Sequence, residues 1–167
     1  MTARDSWCTP IWLTNAMGLF DLDPCANEFS TVQARCTVDQ RGDGLFGESG
    51  MVKTGTSPGV MELGHDARVF INPPYSRGQV VRWVEHWIGT DFTFLLRWDP
   101  STAWFRRLIA QTTLVWFPHQ RINFEPPPGV TASSNPFPHA LYMASAGPNL
   151  PELAELGTFF IPKGYHA

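Results

Sequence analysis

Arg68-Val-Phe-Ile-Asn72-Pro73-Pro74-Tyr75 is the stretch that decides how this chain folds. Val69, Phe70 and Ile71 have strong strand preference, and they run into two prolines that have no backbone N–H with which to extend a ladder. A strand therefore stops at Asn72 and delivers a polar side chain to its C-terminal end. Beyond it the period changes. Val80, Val81, Val84, Trp87 and Ile88 recur at helical spacing, with Arg82, Glu85 and His86 between them, which predicts an amphipathic helix ending near Gly89. Trp83 and Trp87 fall on its buried stripe. Phe92 to Trp98 is strand-like again, and Asp99-Pro100 predicts an N-cap and first helical position for a helix through about Ala110. Thr113–Phe117 is a further strand, with weaker ones at Ala140–Ala144 and Thr158–Ile161. Upstream, Leu19 to Cys25 is an apolar, alternating run that stops at a proline, as a first strand would. Strands alternating with helices predict an α/β fold with a mostly parallel sheet.

The remaining length is bounded by composition. The 167 residues fit one domain, 1–167, and 43% hydrophobic content with 7 Trp and 12 Phe supplies a sizeable core. Two stretches, about 42–66 and 121–138, resist assignment and read as long surface loops, the usual location of partner recognition. A formal charge of -3 argues against nucleic-acid binding through bulk positive charge. Any such contact must be local, and ten of the 12 basic residues are Arg, the side chain suited to bidentate phosphate and base contacts. The apolar runs fall far short of the ~20 residues a membrane span needs. The N-terminus has no secretory apolar core, so the chain is expected in the cytoplasm. Cys8, Cys25 and Cys36 are widely spaced without a Cys-x-x-Cys pair, so neither zinc nor a disulfide is expected.

In open α/β sheets ligands sit outside the carboxyl ends of the strands. Two segments occupy such positions, Asn72-Pro73-Pro74-Tyr75 and Asp21-Leu22-Asp23-Pro24-Cys25-Ala26-Asn27. With two donors removed and φ fixed, the Asn72 side-chain oxygen and the Pro73 carbonyl form an acceptor pair. Together they can accept both hydrogens of an exocyclic amino group and draw its nitrogen from planar toward tetrahedral, which frees a lone pair. Tyr75 adds a flat face for the ring that bears the amine, a contact of ~1–3 kcal/mol per base. As a bare tetrapeptide the same residues read equally as a strand followed by a rigid turn.

The ordered series Asp5-Ser-Trp7-Cys-Thr9-Pro10, Phe20-Asp-Leu-Asp23-Pro24-Cys25-Ala26, Asp43-Gly44-Leu45 and Phe70-Ile-Asn72-Pro73-Pro74-Tyr75 resembles the phage-type DNA N-6-adenine methyltransferases. Trp104-Phe105, Arg121-Ile-Asn-Phe124 and Pro136-Phe-Pro138 extend the likeness over almost the whole chain. The resemblance implies a seven-stranded Rossmann-like sheet with an antiparallel last strand, S-adenosylmethionine as cofactor and DNA as partner, in the host cytoplasm for a phage-encoded chain. It implies that Asn72, Pro73 and Tyr75 hold a flipped adenine while Pro74 keeps the turn rigid. Asp23, Pro24, Cys25 and Ala26 would line the methionine part of the cofactor, Trp7, Thr9 and Pro10 would close over it, and Asp43 would contact its adenosine, through ribose or adenine. The stretch Phe46–Asp66 departs from the family pattern, being longer and richer in Gly, Ser and Thr.

Two other readings compete. Asn-Pro-Pro-Tyr also resembles the motif of methyltransferases that act on a glutamine side-chain amide or on RNA, and the chain could instead be a silent domain that binds cofactor or DNA. The intact Asn72 and Tyr75 speak against silence, and the acidic balance against a simple DNA-binding module. His65, His86, His119, His139 and His166 are scattered and read as surface or structural, and methyl transfer of this kind needs no general base. Arg106 and Arg107 read as a solvated helix face, whereas Arg121, at the head of a loop after a strand, has a better claim on a DNA backbone.

Overall fold

A computed structural model describes residues 6–39, 45, 51–53, 60–62, 66–75 and 78–162, with backbone alone for 39, 51–53 and 60–62. It is an α/β structure in which seven strands form one mixed sheet. In chain order they are β1 (Phe20–Ala26), β2 (Ala34–Asp39), β5 (Arg68–Ile71), β6 (Asp91–Arg97), β7 (Leu114–Pro118), β8 (His139–Met143) and β9 (Gly157–Phe160). Their order across the sheet is β2-β1-β5-β6-β8-β7-β9. The first three pairings are parallel, and the three that involve β8 or β9 are antiparallel. The remaining strands, β3 (Met51–Lys53) and β4 (Val60–Glu62), make a separate antiparallel pair within the stretch expected to be a loop.

Side-chain alternation splits the core into two layers. Val69, Ile71, Phe94, Leu96 and Tyr142 face α2 (Gln79–Trp87) and α3 (Ala103–Ala110). Phe70, Leu95, Leu141 and Met143 face α1 (Ile11–Met17) and α4 (Leu150–Leu156). Both faces of the sheet are therefore covered, which explains why its central strands read as continuous apolar runs. Helix α2 lies where the periodicity places it, with Trp83, Val84 and Trp87 buried and Gly89 at φ 96 just beyond. Helix α3 starts later than Asp99-Pro100 predicts, because Asp99 closes a turn of its own. Its carboxylate accepts from Ser101 at 2.6 Å, its carbonyl accepts from Thr102, and Thr102 becomes the N-cap.

Parallel strands β1 and β2 are joined by the short connector 27–33, which runs back as an extended strap without a helix. The Phe20 N–H donates to the Gln33 carbonyl at its far end. At the other end of the chain, Gly157 lets β9 follow α4 directly. A Cβ at Gly157 would meet the Trp116 ring and the Phe117 carbonyl. The fully buried Trp116 cannot yield, since its indole N–H donates to the Leu153 carbonyl at 2.8 Å. Gly157→Ala is therefore expected to cost about 1–3 kcal/mol through overpacking, read as a lower urea midpoint with an unchanged m-value.

Candidate functional site

The chain runs from β1 to β2 on one side and returns to β5 on the other, so the topological switch point lies between β1 and β5. That is where open α/β sheets bind ligands. The two strands share a single register pair, Leu22 with Val69. Pro24 sits inside β1 without a ladder donor, and the β1–β2 register shifts between Asp23 and Ala26. The Cys25 N–H donates to the Asp23 carboxylate at 2.9 Å. Past Leu22 and Val69 no further register pair joins the strands, and a cleft lies at their carboxyl ends.

Asp23, Cys25, Asn72, Pro73, Pro74 and Tyr75 line that cleft, with Trp7 and Thr9 from the segment before α1. Both sequence segments thus converge on one place. Pro10, Pro24 and Ala26 are buried beside it without lining it, Pro10 as the N-cap of α1. Asp43 lies outside the described residues. Cys8, Asn27, Ser30 and Phe124 also line the cleft, although the sequence reading gave them no role. Phe124 was legible only as part of Arg121-Ile-Asn-Phe124, and Ser30 gave no signal at all.

The polar contacts hold one group ready. The Asn72 amide donates from Nδ2 to the Thr9 hydroxyl at 3.3 Å, which turns Oδ1 the other way. Oδ1 is buried and has no partner among the described residues. An unpaired buried acceptor is costly, so this oxygen at the end of β5 is the one polar group of the cleft's described residues that a bound donor would satisfy. Tyr75 is fixed by its hydroxyl, which donates to the Leu95 carbonyl at 3.0 Å. The His139 ring meets it edge-on at 5.6 Å and Phe124 tilts toward it at 6.5 Å. Burial pushes the Tyr75 phenol well above its ordinary range and lowers His139 to about 4, so both are neutral near pH 7.

The N-terminal wall is tied to the loop after β7. Cys8 and Glu125 exchange two backbone hydrogen bonds at 2.8 Å, and the Glu125 carboxylate accepts from the Ile11 N–H at the start of α1. The strap supplies further ties: Ser30 donates to Asp23 at 3.2 Å, and the Thr31 hydroxyl donates to the Thr9 carbonyl. Arg121 is exposed and donates to the Pro136 carbonyl at 2.9 Å, bracing the 121–138 loop. No basic side chain lines the cleft among the described residues, and its one acid is Asp23. Among those residues no group of three or more His, Cys, Asp or Glu is placed to hold a metal, and no helix is long and apolar enough to cross a membrane.

Compared with protein-family models, with curated proteins and with solved structures, the chain matches none.

Burial raises the Asp23 carboxyl to about 7 from 3.8, against the lowering effect of the Cys25 N–H and Ser30. The folded chain thus keeps a proton that the unfolded chain releases between those values. Stability from this group is complete below the unfolded value and is lost as pH rises through the folded one. Asp23→Asn should remove that dependence, so its melting temperature relative to wild type rises between about pH 4 and about pH 7 and levels off above. A thermal denaturation series across that range checks it.

Proposed function

We propose that this protein transfers a methyl group from S-adenosylmethionine to the N6 amino group of adenine in DNA, on a Rossmann-like methyltransferase fold. The observation that carries the reading is the buried, unpartnered Oδ1 of Asn72, held at a strand end beside an aromatic face. An exocyclic amine is a donor of the kind this acceptor lacks. The mixed seven-stranded sheet is compatible with the fold that the sequence resemblance implies, although two strands, β8 and β9, run against the other five where the resemblance implies one.

The cleft suits a cationic cofactor. It carries the Asp23 carboxyl group, neutral acceptors and the rings of Trp7, Tyr75 and Phe124, with no basic side chain among its described lining residues. Such surroundings favour a sulfonium and an ammonium over an anion. Asp23, Cys25, Trp7 and Thr9 would hold the methionine part. When bound, S-adenosylmethionine supplies an electrophilic methyl group on a leaving group that needs no protonation.

The chain's own residues then position the acceptor. Asn72 Oδ1 and the Pro73 carbonyl accept the two amino hydrogens, which shifts the nitrogen toward tetrahedral and exposes its lone pair. Thr9 keeps the amide from rotating, because Nδ2 is already engaged there. Tyr75 stacks on the purine from a ring locked at its hydroxyl. Extruding the base costs a few kcal/mol, which stacking and the two hydrogen bonds offset. Attack by the amino lone pair on the methyl carbon needs no prior deprotonation, since the methylated nitrogen sheds its proton to solvent afterwards, so positioning carries the rate.

The test is transfer of a labelled methyl group to DNA, RNA and a glutamine-bearing protein in parallel, with label expected at adenine N6 of DNA. Asn72→Ala should lower single-turnover transfer by about two to three orders of magnitude while cofactor affinity stays near wild type. Tyr75→Phe keeps the ring and should be milder than Tyr75→Ala. A folded Asn72→Ala protein that transfers at the wild-type rate, or wild type that binds no cofactor at millimolar concentration, sinks the reading.

A further inference from the structure

Arg97 ends β6 one strand away from Asn72, paired with His139 of β8. Its guanidinium is sandwiched between two rings, 3.9 Å from the Phe137 centroid and 5.0 Å from that of Tyr75. Arg35 meets Asp21, Arg68 the Leu19 carbonyl, Arg107 Glu85, and Arg121 the Pro136 carbonyl, whereas Arg82 and Arg106, like Arg97, have no oxygen partner among the described residues. The Arg97 Nε is buried without a hydrogen-bond partner, and among the described residues none bonds the two terminal nitrogens of this half-buried side chain. Stacking on two rings fixes a guanidinium in place and leaves its N–H groups unsatisfied.

A planar cation held this way lacks an oxyanion to bridge, and phosphate matches its fork bidentately. The location selects which phosphate. Tyr75 forms one wall of the sandwich and also lines the cleft, so Arg97 stands just behind the ring on which the target base would stack. Phe137, 46% exposed and over the guanidinium, offers flat apolar surface suited to a neighbouring base. A chain of charge -3 has no broad basic face for nucleic acid, so contact must concentrate on a few oriented cations such as this one.

We propose that Arg97 binds a backbone phosphate adjacent to the target adenine, with Phe137 bracing the guanidinium; this rests on the DNA reading above. The test uses a short single-stranded oligodeoxynucleotide with one adenine, whose flanking linkages are either phosphodiester or uncharged methylphosphonate. Binding to the full chain is measured by anisotropy over a range of salt, beside methyl transfer to the same oligonucleotides. Arg97→Met should bind the phosphodiester strand roughly ten-fold more weakly, with a salt slope shallower by ~0.7, and Arg97→Lys should recover part of both. The methylphosphonate strand should bind wild type as weakly as the phosphodiester strand binds Arg97→Met. Because it leaves the protein untouched, that arm decides the matter even if Arg97→Met fails to fold. Equal wild-type affinity for both strands, or an unchanged salt slope in folded Arg97→Met, overturns the contact. Binding that depends on Arg97 and on the linkage, without methyl transfer, upholds the contact and sinks the adenine reaction. Transfer with neither dependence does the reverse.

Discussion

The early end of the ladder between β1 and β5 is the constraint on which the site depends. One register pair, Leu22 with Val69, holds the two strands, and everything beyond it is arranged to prevent a second. Pro24, Pro73 and Pro74 contribute no donors, and the Cys25 N–H is taken by the Asp23 side chain. Had these positions carried ordinary ladder residues, the sheet would have continued and the Asn72 amide would have had a strand for a neighbour. Three prolines and one carboxyl group therefore end the ladder at the switch point and leave the Asn72 side chain facing a cleft there.

Charge is divided sharply around that opening. Inside, a buried carboxylic acid, neutral acceptors and aromatic rings make surroundings fit for a cation. Behind Tyr75, a few ångströms away, Arg97 presents positive charge that no carboxylate of the described chain offsets. A single tyrosine ring separates the two environments, and its own hydroxyl is fastened to the sheet through Leu95. Opposite charge requirements are thereby met within one small region of a protein whose overall balance is mildly acidic.

Local signals made part of this legible. Helix α2 could be read because Val84, Trp87 and Gly89 are informative without knowledge of the rest of the chain, and β5 because a strand must stop at Pro73. Helix α1 went unread because its start is satisfied by Glu125, remote in sequence, and because Ile11 at its first position is exposed. The start of α3 was misplaced because Asp99 serves two geometries equally well and the turn with Ser101 takes it. The convergence of Asp23 with Asn72 followed from topology, whereas the Thr9 hydroxyl that orients the Asn72 amide, and the rings around Arg97, depend on side-chain packing that no local pattern encodes. Phe137 in particular carries no sign in the sequence that it will lie over a cation.

The order in which the sheet is filled has a consequence for biogenesis. Strands β6 and β7 follow one another in the chain, yet β8 lies between them, hydrogen-bonded to both. A nascent chain that has emerged only as far as β7 holds a gap in its sheet, with two strand edges exposed and Leu95 and Trp116 lacking the neighbour Leu141. The loop 121–138 must then fold back before the gap can close, and the same closure brings His139 against Tyr75 and Phe137 over Arg97. Assembly of the sheet and assembly of the site are consequently one late, long-range event, of the kind that loop-closure entropy makes slow. A product truncated before His139 would expose the apolar edges that chaperones bind and that aggregation exploits.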